Sequence, residues 1–424
     1  MWTLRETAAM SNPAESLNQN TVTTGTPGKH SALPTVTDDS WAASLLLAFL
    51  SSAGLYYVNI FPVIVSALME GAGLSNAQAG EITFANTIGA VVGAFAISWV
   101  VKKIHRWKTA AAWLLCLSMS MDLATISLAQ IDLLIPLRFV HGVLGGALVG
   151  IGFAVIARSA APGRCYSMVL IVQYTGGAFG MLVLPALVSQ HGTYVPFYAL
   201  LVFSSITLLM LPFIGDYPLP EPPAENVQRP SQPAERIEWH PLLVTLFALF
   251  LFQFANMALF AFIFDLGKSF GLEQAFMSET LFAANFIAIS GAILAAWTST
   301  RYPITGPLVL ALVMTVLGIL LFVYSGNKAI FVFANIATGI TWAFCVPYFL
   351  TMASRFDKAG QMAAFGGFAS KTGLACGPLV AGYFISGGGT YTQMIVIAAA
   401  LLALCLLSLP AARHLDSATE LADA

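Results

Sequence analysis

Charge is what this sequence has least of. Asp, Glu, Lys and Arg make up 9% of its 424 residues, against 58% apolar, where a soluble domain carries about 25% charged residues. That balance excludes a soluble globular fold. Cysteine is also scarce: Cys116, Cys165, Cys345, Cys376 and Cys405 fall in apolar segments or at their ends. None is spaced to pair, so neither a disulfide framework nor a zinc site is expected. No Asn-x-Ser/Thr sequon occurs. Nothing has the pattern of a nucleotide loop, a metal-ligand cluster or a catalytic triad, so no enzyme, metal or cofactor is read from the chain. The net charge of -2 comes with no basic tract suited to nucleic acid. Residues 1–41 are polar and rich in Ser, Thr, Asn and Pro, without the apolar core of a signal peptide. They are expected to form a disordered cytoplasmic tail.

What the chain has in abundance is long apolar runs. Twelve segments approach or exceed the roughly 20 residues that cross a bilayer. They lie near 42–69, 78–101, 109–129, 131–157, 166–188 and 194–214, then 241–267, 276–299, 306–325, 329–353, 362–385 and 390–411. A Pro-rich, charged stretch divides them, so the expected organisation is a bundle over 42–216, a cytoplasmic linker over 217–238, a second bundle over 239–412 and a short tail over 413–424. With both termini inside, fourteen of the eighteen Lys and Arg fall in inner segments and two, Lys268 and Lys328, in outer loops. The positive-inside bias therefore puts both termini in the cytoplasm.

The halves repeat each other. At an offset of 198, Gly73-Leu74, Ala77, Glu81 and Phe84-Ala85 recur as Gly271-Leu272, Ala275, Glu279 and Phe282-Ala283. At 197, Gly142, Arg158, Gly163, Thr175, Gly176 and Gly180 match Gly339, Arg355, Gly360, Thr372, Gly373 and Gly377. Two six-helix repeats in one orientation are the layout of a secondary transporter with its site between them. The expected fold class is an all-α membrane protein of twelve transmembrane helices in two pseudo-symmetric bundles.

Within the fourth segment stands Arg138-Phe139-Val140-His141-Gly142, followed by Gly145. This resembles a fourth-helix signature of the major facilitator superfamily, with His141 where Gln is common. The loop Ser98-x-x-x-Lys102-Lys103-x-His105-Arg106-Trp107-Lys108 resembles that family's gating loop, keeping Lys103 and Arg106 but losing its Asp at Lys102. Gly176-Gly177-x-x-Gly180 to Pro185 partly resembles the fifth-helix antiporter motif. Its Gly-Pro is missing there, while Gly377-Pro378 stands in the eleventh segment. The resemblance implies transport by alternating access, with Lys103, Arg106, Gly142, Gly176, Gly180, Gly373 and Gly377 in gating or packing.

Polar groups inside the runs are the candidate site. A cation at mid-bilayer costs about 3 kcal/mol or more and must face protein or water. At 1.5 Å per residue, Asp122 on the third helix reaches the level of Arg138 on the fourth. A carboxylate balanced between burial and a fixed positive charge is a candidate for proton exchange. Glu81, repeat-related to Glu279, is a second proton candidate, set against a plain helix N-terminal acid favoured by the macrodipole. Arg138 and Lys371 are candidate anion ligands, set against a packing ion pair for the first and a snorkelling amine for the second. Tyr57, Asn59, Gln173, Tyr174 and Asn256 are candidate substrate contacts, each equally able to bond a neighbouring helix. The expected function is secondary transport of a small organic solute, more specifically an organic anion, coupled to protons. The partners are then the substrate, protons and the lipid bilayer, with no nucleic acid, and the protein is a monomer of the bacterial inner membrane. Import by symport and export by antiport both remain open, and a drug or metabolite efflux antiporter is the alternative. A non-transporting membrane sensor is more remote, since it would be expected to carry a sizeable soluble output region.

Overall fold

The structure is a computed structural model that describes residues 35–38, 40–128, 131–218, 238–356 and 361–423. Residues 1–34 of the expected tail and 219–237 of the expected linker lie outside them. Fifteen α-helices occur among the described residues: α1 Trp41–Ala53, α2 Tyr56–Ala72, α3 Asn76–Val100, α4 Trp107–Leu128, α5 Ile131–Ile156, α6 Pro162–His191 and α7 Val195–Met210, then α8 Trp239–Ala261, α9 Ile263–Ser269, α10 Gln274–Ser299, α11 Thr305–Leu321, α12 Lys328–Arg355, α13 Gln361–Ser386, α14 Tyr391–Leu404 and α15 Leu409–Asp423. They make ten spans long and apolar enough to cross a membrane, the last running from Tyr391 to Ser417 through α14 into α15, or eleven when the pair α1 and α2, bent by 45°, is counted as one. α13 falls outside that count, its apolar character diluted by glycines, Pro378 and Lys371.

Local chemistry sets the helix ends. Ser75 and Gln78 form a capping box at the start of α3, and Thr390 and Gln393 do so for α14. Gly73 closes α2 at φ 67° and Gly271 follows α9 at φ 79°, a left-handed geometry that glycine adopts without a Cβ penalty. These two glycines are repeat-related, so the turn is repeated along with its residue.

The packing is repeated too. α3 lies on α5, and α10 on α12, with the small residues where the backbones meet. A Cβ on Gly93 would sit 1.9 Å from the Val143 carbonyl oxygen, and one on Gly291 2.1 Å from that of Ile340. A Cβ on Gly142 would sit 2.0 Å from the Asn86 oxygen. Gly373 and Gly377 of α13 abut the Phe250 and Phe254 carbonyls of α8. Their counterparts Gly176 and Gly180 of α6 abut Tyr56 and Ile60 of α2, side chains instead of backbone. Glycine here serves close approach, the use small residues have in membrane helix packing.

Where a tail was expected from 413, the chain continues as α15. Its Leu415 is buried, and Asp416 accepts hydrogen bonds from Ile304 N, Thr305 N and Thr305 Oγ1 at 2.7, 3.0 and 2.7 Å. The carboxylate thus caps the first turn of α11, which no local side chain does. His414 pairs with Glu238 at 2.6 Å, just ahead of α8.

The contacts that join the two halves gather at the end remote from α15, here the far end. Gly80 of α3 meets Pro378 of α13, and Gly382 meets Asn76. Ser386 Oγ accepts from Ala77 N at 2.9 Å, and Tyr383 donates to Glu81. Lys268 of α9 reaches Glu70 and Ser66 of α2. Glu70 and Lys268 are themselves 198 residues apart, the repeat offset, so this ion pair joins equivalent positions of the two halves. At the other end, which carries α15, the same faces of α3 and α13 continue as Phe95 and Phe368, and both are exposed. The halves touch at one end and stand apart at the other.

Candidate functional site

A cleft lies between the halves and holds about 1070 Å³ of empty space, its mouth included. The first half contributes Asn59, Gln173 and Tyr174; the second contributes Asn256, Asn285, Asn335, Thr338 and Trp342. Five helices, α2, α6, α8, α10 and α12, thus bring carboxamides to one space, and no charged residue lines it among those described.

Each asparagine is held by its own helix or a neighbour. Asn59 Nδ2 donates to the Gln173 carbonyl at 3.2 Å, joining α2 to α6. Asn256, Asn285 and Asn335 donate to the carbonyls of Phe252, Leu281 and Phe331, four residues back, at 2.8 Å each. Trp342 is held from behind: its Nε1 donates to Gln253 Oε1 at 2.7 Å, and Gln253 Nε2 donates to Ser370 Oγ at 2.8 Å. Gln253 and Ser370 are buried, so the chain fixes the indole as a wall of the cleft.

Lys371 follows Ser370 on α13. It precedes Pro378 by seven residues and Gly382 by eleven, spacings that share one helix face. Pro378 and Gly382 touch α3 at the far end, so Lys371 faces the gap between the halves where they have separated. It is exposed, although the protein is dense around it. Val380, nine residues farther along α13 and on the opposite face of the helix, is exposed on the other side. Lys371 has no carboxylate within ion-pair reach among the described residues. Leu374, one turn farther along, lines the cleft itself.

Arg138 lies elsewhere. It is fully buried within the first half, and so is Asp122. Arg138 Nη1 donates to Asp122 Oδ1 at 2.7 Å, while Nη2 donates to Thr125 Oγ1 at 2.5 Å and to the Met121 carbonyl at 2.9 Å. The guanidinium carbon stands 5.0 Å from the centre of the Phe197 ring. His141 Nε2 approaches Asp122 Oδ2 at 3.5 Å. Asn86 Nδ2 donates to the Arg138 carbonyl at 3.1 Å and stands 2.9 Å from His141 Nδ1. A carbonyl only accepts, so the Asn86 amide orientation is set, and the neutral His141 ring carries its proton on Nε2, toward Asp122. Arg138 does not line the cleft in this conformation: Asp122, Thr125 and the Met121 carbonyl hold its two terminal nitrogens, while its buried Nε has no hydrogen-bond partner. Tyr57 is likewise buried, tilted against His141 at 6.1 Å between ring centres, and does not line the cleft.

Glu81 sits at the far-end contact, bonded by Tyr383, some distance along α3 from the Asp122 cluster. Lys103 and Arg106 are exposed on the loop between α3 and α4. The ion pair formed near them is between Lys108 and Asp216, 2.7 Å long. Sequence reasoning gave no role to Asn86, Thr125, Thr338 or Ser370. The available signal was position: Thr125 lies one turn from Asp122, and Thr338 is the repeat counterpart of His141.

A two-bundle helical protein, with a cleft between its halves that sets carboxamides among mostly apolar side chains such as Phe260, Ile319 and Phe322, has the architecture of an integral membrane transporter. The chain belongs to the Major Facilitator Superfamily, whose model matches residues 44–373. Among solved structures it is similar to a single-residue variant of the nucleoside transporter NupG (TM-score 0.68, 14% identity, covering 88% of this chain and 98% of that one). It is also similar to the POT family transporter PepTSo (TM-score 0.65, 12% identity, 88% and 98%) and to a D-xylose-proton symporter (TM-score 0.62, 14% identity, 86% and 96%). At these identities the likeness is one of fold. No curated protein matches by sequence. Membership of that family identifies a transporter, not an enzyme.

Proposed function

We propose that this protein is a proton-coupled secondary transporter for a small organic anion. It works by rocking its two halves about the central cleft. The observation that carries the substrate charge is Lys371, an ammonium facing the gap between the halves with no carboxylate partner among the described residues. A cation so placed is left uncompensated in a membrane protein unless an anion joins it. The positive-inside bias makes the end that carries α15 cytoplasmic, so the cleft is inward-open. The membrane is then a bacterial inner membrane with both termini inside.

The proton reading rests on Asp122 and His141. Asp122 Oδ2 has no hydrogen-bond partner and faces the His141 imidazole at 3.5 Å. Asp122 Oδ2, left without a hydrogen bond, can take up a proton, and the Arg138 guanidinium and the His141 Nε2–H beside it offset the charge when that proton leaves. Glu81 is the second candidate, at the closure that must open outward, where a proton would release Tyr383.

A specific observation favours a second reading, a neutral solute: the cleft lining is uncharged. NupG, the similar structure with the TM-score of 0.68, is a nucleoside transporter. Uptake into proteoliposomes with an imposed pH gradient tests the proposal. Acids should accumulate uphill, and Asp122→Asn with Glu81→Gln should leave only equilibrative exchange. Unchanged uphill uptake in that double variant would remove both residues as the coupling site. Accumulation of uncharged solutes alone would move the assignment to the neutral reading.

A further inference from the structure

The three asparagines of the second half share one feature that their sequence neighbours do not reveal. Asn256 on α8, Asn285 on α10 and Asn335 on α12 each donate one amide hydrogen to the carbonyl four residues back. A backbone carbonyl accepts and never donates, so this bond fixes which end of each carboxamide is nitrogen. Each Oδ1 is then turned away from its own helix, and all three residues line the cleft. No hydrogen bond reaches any of the three oxygens, and none of them is sealed off from the open space. Each amide also keeps its second N–H. The site therefore presents three matched pairs of one acceptor and one donor.

A hydroxyl is the group that fits such a pair, because it donates one hydrogen and accepts at its oxygen. An ammonium does not fit. No carboxylate lines the cleft to balance it, and Lys371 would repel it. An alkyl chain would pack on the apolar part of the lining, such as Phe260, Ile319 and Phe322, but would leave the three amides without partners, which is costly. Heights agree with one ligand touching both regions. Gly373 and Gly377 of α13 abut Phe250 and Phe254 of α8, so Lys371 stands level with residue 248. Asn256 is eight residues farther, about 12 Å. The lysine side chain and an extended six-carbon ligand together cover that height.

We infer that Asn256, Asn285 and Asn335 form a hydroxyl-reading subsite, and that the transported solute is a polyhydroxylated organic acid with its carboxylate toward Lys371. The acid half of this statement rests on the function proposed above; the hydroxyl half rests on the asparagines alone.

The test uses the full-length protein in nanodiscs and three probes of equal chain length: gluconate, hexanoate and glucitol. Gluconate should bind at least about tenfold tighter than hexanoate, the combined effect of three neutral hydrogen bonds. Asn256→Leu and Asn335→Leu should each lower that ratio by about 2–10-fold. Leucine is close in shape, and the carbonyl it frees keeps its helical backbone bond, so both variants should fold. Lys371→Gln should weaken gluconate and hexanoate and spare glucitol. Equal binding of gluconate and hexanoate, with both weakened by Lys371→Gln, would overturn the hydroxyl subsite and leave the anion reading standing. Equal binding of gluconate and glucitol, both weakened in the asparagine variants and neither by Lys371→Gln, would keep the subsite and overturn the anion reading. Binding of none of the three at millimolar concentration would overturn the inference as a whole.

Discussion

The two halves share a frame and differ in what they put into it. In the first half Arg138, Asp122, Thr125 and His141 form a closed, buried cluster. At the repeat offset of 197 the same positions in the second half are Asn335, Ile319, Phe322 and Thr338. All four of these line the cleft. One helical arrangement is thus sealed by an ion pair on one side and left open on the other. The frame can be repeated because glycine contacts such as Gly93 on Val143 and Gly291 on Ile340 depend on backbone shape. The chemistry is not repeated: four groups buried in the first half correspond to four that line the cleft in the second.

The sharpest way to break the comparison is to unseal the closed half. Arg138→Ala leaves Asp122 as a lone buried carboxylate and should destabilise the protein by about 3–5 kcal/mol, the scale for one partner removed from a buried pair. Thermal unfolding in detergent reads this directly. Asp122→Ala in the same chain should recover a large part of the loss, because two neutral residues are better buried than one charge. Additive losses in that double-mutant cycle would mean the pair is not coupled.

In the open half the corresponding changes should spare the fold and alter binding. Lys371→Gln should weaken an acidic ligand by about 1.5–3 kcal/mol, the range for a hydrogen bond to a charged group. That is on the order of 10–100-fold in affinity. The amide of the same acid should change little, and calorimetric titration of both compounds separates the outcomes. Equal weakening would return Lys371 to a packing role.

A smaller effect is expected behind the cleft wall. Gln253→Leu removes the acceptor that holds the Trp342 indole, and should lower affinity for cleft ligands by about 1 kcal/mol. Fluorescence of Trp342, read against a Trp342→Phe control, should show the ring released. An unchanged spectrum would argue that packing alone holds it.

The smallest effect belongs to the ion pair that joins the halves. Glu70 and Lys268 are partly exposed, so Glu70→Gln should shift the balance between conformations by no more than about 1 kcal/mol. Labelling of Asn59→Cys by an impermeant thiol reagent added from the far end should quicken severalfold. Slower labelling would show that the pair holds the far end open instead of closed.

Much of this was legible in the residues themselves. Apolar runs fix the class of protein because a bilayer tolerates only long, internally bonded helices. The offsets of 197 and 198 mark the repeat, and Arg138 in an apolar run requires a partner at its own depth, which Asp122 supplies. Tertiary structure decided which polar groups are sealed and which are open. A helix in lipid shows no polar face to betray its orientation, so Tyr57 and Asn59, two residues apart, could not be told apart; one is buried and the other lines the cleft. The same holds for Arg138 and Lys371. Both are cations inside membrane helices, but only packing puts a carboxylate 2.7 Å from the first and an open gap before the second. Depth follows from counting residues along one helix. Direction depends on where every other helix stands, and that is a property of the assembled bundle.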